Sequence, residues 1–205
     1  MFSRIAAVLT LILLLCCAGY AQETKTPRPK ERTEIKGVVR QHDKFRDQTI
    51  VATKPIDIGL GNKRDTFICN MIFGYVIDEN KKVGPLVMVL TPGGTGIGAA
   101  MAQGLNPGMG RAYLSPDLDV IILVSGQRYK LGKVSKDFNI SPSGDFNKSV
   151  TVEVPLEVLS AIGKADEWEM AVGPLETKIV KRYMNRIREK FITLEAQYNQ
   201  DISKP

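Results

Sequence analysis

Residues 66–77 alternate so strictly that an extended strand is the conformation that suits them. Phe67, Cys69, Met71, Phe73 and Tyr75 fall on one face, and Ile68, Asn70, Ile72, Gly74 and Val76 on the other. Successive side chains of a strand point to opposite faces, so the first set makes one unbroken apolar stripe that has to meet a core. A chain built around such a stripe needs partner strands on its edges and a layer against its face.

Partner strands are easy to find. From Asp43 onward, short apolar or alternating runs are punctuated by Pro, Gly and Asn, the pattern of an antiparallel sandwich or barrel. Residues 49–53 form one such run, and Ile56, Ile58 and Leu60 alternate after Pro55. The polar turn 78–82 leads to the continuous apolar run 86–90, which suits a central strand. Residues 118–124 and 128–134 flank Ser125-Gly126-Gln127, a loop of hairpin length with a glycine where positive φ is needed. Val150, Val152 and Val154 alternate again, and so do Trp168, Met170 and Val172. The fold class expected is mainly β: an antiparallel β-sandwich or partly open barrel of about seven strands.

Two helices complete the expectation. Pro155 starts a short inserted helix carrying Leu156, Leu159 and Ile162, which Gly163 ends. From Glu176 to Ala196 the period changes, with Ile179 or Val180, Tyr183, Met184, Ile187, Phe191 and Leu194 recurring every three or four residues. That is a C-terminal amphipathic helix, followed by a tail over 198–205.

The first 21 residues set the expected compartment. Arg4 gives a short basic start, residues 5–18 are apolar, and Gly19-Tyr20-Ala21 offers small residues before Gln22, as in a secretory signal peptide. The run is shorter than the roughly 20 apolar residues of a spanning helix, so cleavage is favoured over a retained anchor. Lipid attachment at Cys16 or Cys17 is disfavoured because Leu15 and Cys16 precede them where a small residue is wanted. Cleavage would leave Cys69 as the remaining cysteine, without a disulfide partner, so stability has to come from the core. Within its apolar run Cys69 reads as a small buried hydrophobe.

Residues 22–42 hold Lys25, Arg28, Lys30, Arg32, Lys36 and Arg40 with little apolar periodicity, and read as a disordered basic leader to a single β-rich domain over 43–197. The net charge of +6 thus lies largely in that leader and on one face of the terminal helix. A dedicated polyanion groove is not expected, and neither is a nucleic-acid partner. On the helix, Lys181, Arg182 and Arg186 are the residues placed to touch an anionic membrane surface or an acidic partner; a solvated face is the simpler role.

One segment carries the look of chemistry. After the strand 86–90 come Gly93, Gly94, Gly96 and Gly98, and Gly94, Gly96 and Ala99 have the G-x-G-x-x-G/A spacing. This resembles the strand, turn and helix start of a short-chain dehydrogenase or other Rossmann protein, where glycines let the backbone approach a pyrophosphate. The context argues against it. The would-be helix breaks at Asn106-Pro107-Gly108, too short for a βαβ crossover, and no acidic residue closes the next strand. Tyr129 and Lys133 mimic a Tyr-x-x-x-Lys pair, yet on a strand they stand about 13 Å apart. The remaining use of the glycines is a long loop that binds a ligand, with Gly93, Gly94, Gly96, Gly98, Arg111 and Tyr113 as its candidate contacts.

Other motifs fail. His42 is the single histidine and sits in a polar stretch; Asp117 and Asp119 supply two carboxylates where a cation site needs more. Residues 126–133 miss the phosphate-loop spacing and end in Val134 where Ser or Thr must meet magnesium. No catalytic residue, metal site or cofactor is expected.

At the level of the whole domain, the chain resembles a family of small exported bacterial proteins without an established activity. The resemblance rests on residues 42–49 (HDKFRDQT), 118–132 (LDVIILVSGQRYKLG) and 150–172 (VTVEVPLEVLSAIGKADEWEMAV) followed by a terminal helix. It implies a sheet-rich fold with a C-terminal helix and no transferable site. The function expected is a periplasmic or secreted, non-enzymatic binding or accessory module of the cell envelope, its partner an envelope protein or surface polymer. The alternatives are a nucleotide- or phosphate-binding enzyme using the glycine loop, and a peripheral membrane protein using the basic helix.

Overall fold

The computed structural model describes residues 32–44, 46–61, 66–92, 118–133, 135–140 and 146–204. In chain order they form β1 (Arg32–Ile35), β2 (Val38–Asp43), β3 (Gln48–Thr53), β4 (Ile56–Gly61), β5 (Thr66–Ile77), β6 (Val87–Pro92), β7 (Asp119–Val124), β8 (Gln127–Lys133), β9 (Ser135–Ile140), β10 (Phe146–Glu153), α1 (Leu156–Lys164), β11 (Trp168–Val172), β12 (Leu175–Ile179) and α2 (Lys181–Ile202). The protein is mainly β. Its strands join one open sheet, which does not close into a barrel, and among the described residues they number twelve where about seven were expected.

β5 is the hub of that sheet. One edge pairs with β6; the other takes β3 near its C-terminal end and β4 near its N-terminal end, all antiparallel. β3 and β4 are nearly one strand, interrupted at Lys54-Pro55, because proline brings no N–H to a ladder. The register against β5 slips by one residue there, from Ala52↔Gly74 to Ile56↔Met71. Phe73 lies in the gap, and its N–H donates instead to the Thr53 hydroxyl at 3.1 Å. From this hub one path runs β3-β2-β1, another β4-β12-β11-β7-β8, and a third β6-β10-β9.

The apolar stripe of β5 meets the core as its alternation requires: Cys69, Met71, Phe73 and Tyr75 are fully buried. α2 covers it, with Phe191 edge-on to Phe73 at a centroid distance of 5.3 Å and Tyr198 edge-on to Tyr75 at 4.9 Å. Trp168 of β11 joins from the other arm, its indole N–H directed at Met184 Sδ at 3.3 Å. Each such side chain contributes about 1.5–3 kcal/mol by leaving water, which lets a chain with one free, buried cysteine in its core hold together. The second face of β5 is buried too in its middle, at Ile72 and Val76.

The hairpin expected around Ser125 and Gly126 is present as the β7–β8 turn, both residues at positive φ. Four expectations need correction. Residues 32–42, expected as part of a disordered leader, carry the β1–β2 hairpin, turned at Lys36 and Gly37 with φ of 48° and 77°; the sheet therefore starts at Arg32, not Asp43. Residues 176–179, expected as the start of the terminal helix, belong to β12, and α2 begins at Lys181. α2 also runs through Ile202, so most of the expected tail is helical. Gly163 does not end α1, which continues through Lys164, because the glycine packs against Phe191 and Ile192, where a small residue lets α2 come close. Residues 1–21, and with them the signal-peptide reading, lie outside the described residues.

Candidate functional site

The arm β4-β12 is the weakest seam of the sheet. β4 pairs with β5 over its whole length and β12 with β11 over its whole length, yet β4 and β12 share a single register pair, Gly61↔Glu176. Beyond it the two strands diverge. Between them lies an open groove of about 540 Å³, lined by Asp57, Ile58, Gly59 and Gly61 from β4 and by Glu176 to Ile179, Val180 and Tyr183 from the β12–α2 segment.

A strand edge carries N–H and C=O groups that have to be satisfied. On β4 the side chains of α2 take part of that role. The Tyr183 hydroxyl donates to the Asp57 carbonyl at 2.5 Å, and the Lys190 ammonium donates to the carbonyls of Pro55 at 3.3 Å and Lys54 at 3.4 Å. Helix side chains thus stand where a neighbouring strand would lie, over the stretch that β2, whose pairing with β3 ends at Val38↔Thr53, does not reach. Burial, followed by the Lys54 charge, pulls the Lys190 pKa below its ordinary value; burial, with the Asp57 charge behind it, raises that of Tyr183. The Tyr183 phenol therefore stays protonated, and a donor, at neutral pH.

Past Asp57 this substitution stops. The exposed Asp57 and Gly59 alternate with the buried Ile56, Ile58 and Leu60, and because the Asp57 carbonyl points into the groove, the backbone groups of Gly59, two residues on, point the same way. Of the lining charges, Lys178 is paired with Glu167 at 2.9 Å and Glu169 at 3.4 Å, while Asp57 and Glu176 make no ion pair among the described residues.

Of the site residues named from sequence, Lys181, Arg182 and Arg186 are described, and they do not line this groove. Gly93, Gly94, Gly96, Gly98, Arg111 and Tyr113 lie outside the described residues. β6, the strand that leads into the glycine run, is antiparallel to both its neighbours, β5 and β10, so the parallel strand on which a dinucleotide turn depends is missing there. On α2, Lys181 is tied to Asp166 at 2.8 Å, a carboxylate that Arg188 shares; Arg182 and Arg186 are exposed and make no ion pair among the described residues. No helix among the described residues is long and apolar enough to cross a membrane. His42 lies on β2 within 3.3 Å of the Thr49 hydroxyl and 3.4 Å of Asp47. Tyr129 packs toward the core while Lys133 is exposed, so the pair does not converge. Among the described residues no three His, Cys, Asp or Glu side chains gather as a metal site would require.

Sequence reasoning missed the groove. Its one signal was Gly59 and Gly61 in alternation with Ile58 and Leu60, a strand with a bare outer face. No protein-family model, curated protein or solved structure matches the chain.

Proposed function

We propose that the protein is a non-enzymatic binding module of the bacterial cell envelope, exported through its N-terminal segment, and that the β4–β12 groove is where it engages its partner. The observation that carries this reading is the single register pair between β4 and β12, beyond which the seam is closed by side chains of α2 and not by a strand. A sheet that opens in this way offers the Gly59 N–H and C=O at a strand edge, with the Asp57 carbonyl beside them, the chemistry by which an extended segment is added as a strand. Export is supported by the composition of residues 1–21 and by the resemblance to small exported bacterial proteins.

The test is site-specific photo-crosslinking in the native envelope. A photoreactive residue at Thr177, in the groove, should give a defined adduct, whereas the same residue at Leu123, on an exposed part of β7, should not. Equal labelling at the two positions, or none at Thr177, would defeat the assignment.

A further inference from the structure

The groove is bordered by apolar side chains that face water. Ile68, the register partner of Gly59 on β5 and so next to the groove without lining it, is 45% exposed, and Val180, which lines the groove, is 47% exposed. Between them the outer face of β4 has no side chain at Gly59 or Gly61. Exposed isoleucine and valine are unremarkable singly. Here they flank bare backbone beside the strand-edge N–H and C=O of Gly59, and that juxtaposition is specific.

Two physical requirements follow for an occupant. Its backbone must be extended, since only a strand presents N–H and C=O groups at the spacing of a strand edge. It must also cover Gly59, because a glycine in a sheet leaves backbone open to water and contributes no cross-strand contact; a large ring laid across it from the adjacent strand supplies both, as aromatic residues opposite strand glycines do. Charge narrows the choice again. Lys190 and Arg186 bring positive charge to the Asp57–Tyr183 end, whereas at the other end Glu176 makes no ion pair among the described residues and Lys178 is held by Glu167 and Glu169, so there a neutral or basic segment is favoured over an acidic one.

We infer that the occupant is an extended, non-acidic segment of a partner protein that pairs with the groove edge of β4 and seats one aromatic side chain over Gly59, between Ile68 and Val180. This inference rests on the strand-accepting reading of the groove and adds the chemistry of the partner. The segment adds a strand to the seam, with Gly59 as its central contact and the Asp57 carbonyl, now held by Tyr183, as a further acceptor within reach.

The experiment uses synthetic peptides as probes and backbone amide shifts of the full folded chain as the readout, followed at Gly59, Gly61 and Thr177. The first peptide is acetyl-Thr-Lys-Thr-Trp-Thr-Lys-Thr-amide; the second replaces Trp by Ala; the third keeps Trp but is N-methylated along one edge; the fourth replaces both Lys by Glu. The Trp peptide should shift the groove amides and bind roughly tenfold more tightly than the Ala peptide. The N-methylated and Glu peptides should lose most of that binding. In the double variant Ile68→Thr and Val180→Thr, whose altered positions are exposed, the advantage of Trp over Ala should vanish while the remaining amide spectrum stays in place. Equal binding of the Trp and Ala peptides overturns the aromatic seat but leaves strand acceptance standing. Binding of the N-methylated peptide as tight as that of its parent overturns strand pairing, and failure of every peptide to move the groove amides overturns both readings.

Discussion

The Asp201 carboxylate, in the last turn of α2, accepts a hydrogen bond of 2.8 Å from the hydroxyl of Tyr75, near the end of β5. A carboxylate at a helix C-terminus faces the negative end of the helix dipole, and this one is buried as well, with 2% of its side chain exposed. It stays charged because Arg40 of β2 reaches it at 2.7 Å and Lys204 at 2.8 Å. Burial alone would raise its pKa; the hydrogen bonds from Arg40, Lys204 and Tyr75 outweigh that and hold it below the ordinary 3.8. The end of α2 is thereby pinned across β2 and β5.

Replacing Asp201 by Asn should therefore cost about 1.5–3 kcal/mol, the usual size of a lost hydrogen-bond set to a charged group. The effect should depend on pH in a defined direction. A carboxyl depressed in the folded state stabilises the fold above its unfolded pKa, and the contribution is lost as pH falls through the ordinary value of 3.8 and on to the lower folded one. Urea unfolding monitored by Trp168, the one tryptophan, should show the wild type and Asp201→Asn furthest apart near neutrality and converging as pH falls below the ordinary 3.8. A constant gap down to acid would contradict the assignment.

Cys69 should behave as an inert thiol. Burial pushes its pKa up to about 12, and its S–H donates to the Thr91 carbonyl at 3.2 Å. Thiolate is the reactive form, so a thiol-reactive dye should leave Cys69 unlabelled in the native protein at pH 8 and react with it fully once denaturant exposes the residue. Fast labelling under native conditions would mean that the β5–β6 pairing opens far more readily than its continuous ladder suggests.

What the sequence could and could not announce follows from the physics of particular segments. The β5 stripe, the Ser125-Gly126 turn and the α2 stripe carry their own local signals, and all three stand in the structure. β12 was hidden because Leu175, Ile179 and Tyr183 are spaced by four, a multiple of the strand period and close to one helical turn; the helix pattern downstream absorbed it. β1 was hidden because its four residues are all exposed, so no apolar face marks it and pairing with β2 alone defines it. The groove was least legible. It arises where β4 and β12, far apart in the chain, fail to pair, and no local pattern encodes a missing ladder.

The glycines of the sheet divide into two kinds that substitution should separate. A Cβ on Gly74 would lie 2.7 Å from the Val51 carbonyl oxygen and 2.8 Å from Ala52 Cβ, both on the neighbouring β3. Backbone cannot move away there without breaking the ladder, so Gly74→Ala should cost about 1–3 kcal/mol as an overpacked site. Gly126, at φ +81°, has nothing within 4 Å of such a Cβ, and Gly126→Ala should cost only the strain of a positive φ, about 1 kcal/mol. Thermal unfolding of the two variants side by side decides this; equal losses would mean that the close approach at β3 relaxes freely.

Tyr183 offers the most direct test of how the groove is closed. Its hydroxyl holds the Asp57 carbonyl, but the groove is open, so water can replace the bond when Tyr183→Phe removes it. The stability loss should accordingly stay near 0.5–1.5 kcal/mol, the net worth of an ordinary hydrogen bond. Freed of the phenol, the Asp57 carbonyl becomes available to an incoming backbone N–H, and an extended peptide no longer has to displace an existing partner. Affinity for a strand-forming peptide should therefore rise, by roughly tenfold if the whole net bond is recovered, while Lys190 keeps the Lys54 and Pro55 carbonyls covered in both proteins. A fall in peptide affinity in Tyr183→Phe would instead show that the hydroxyl itself contacts the ligand and that β4 gains no strand partner at Asp57.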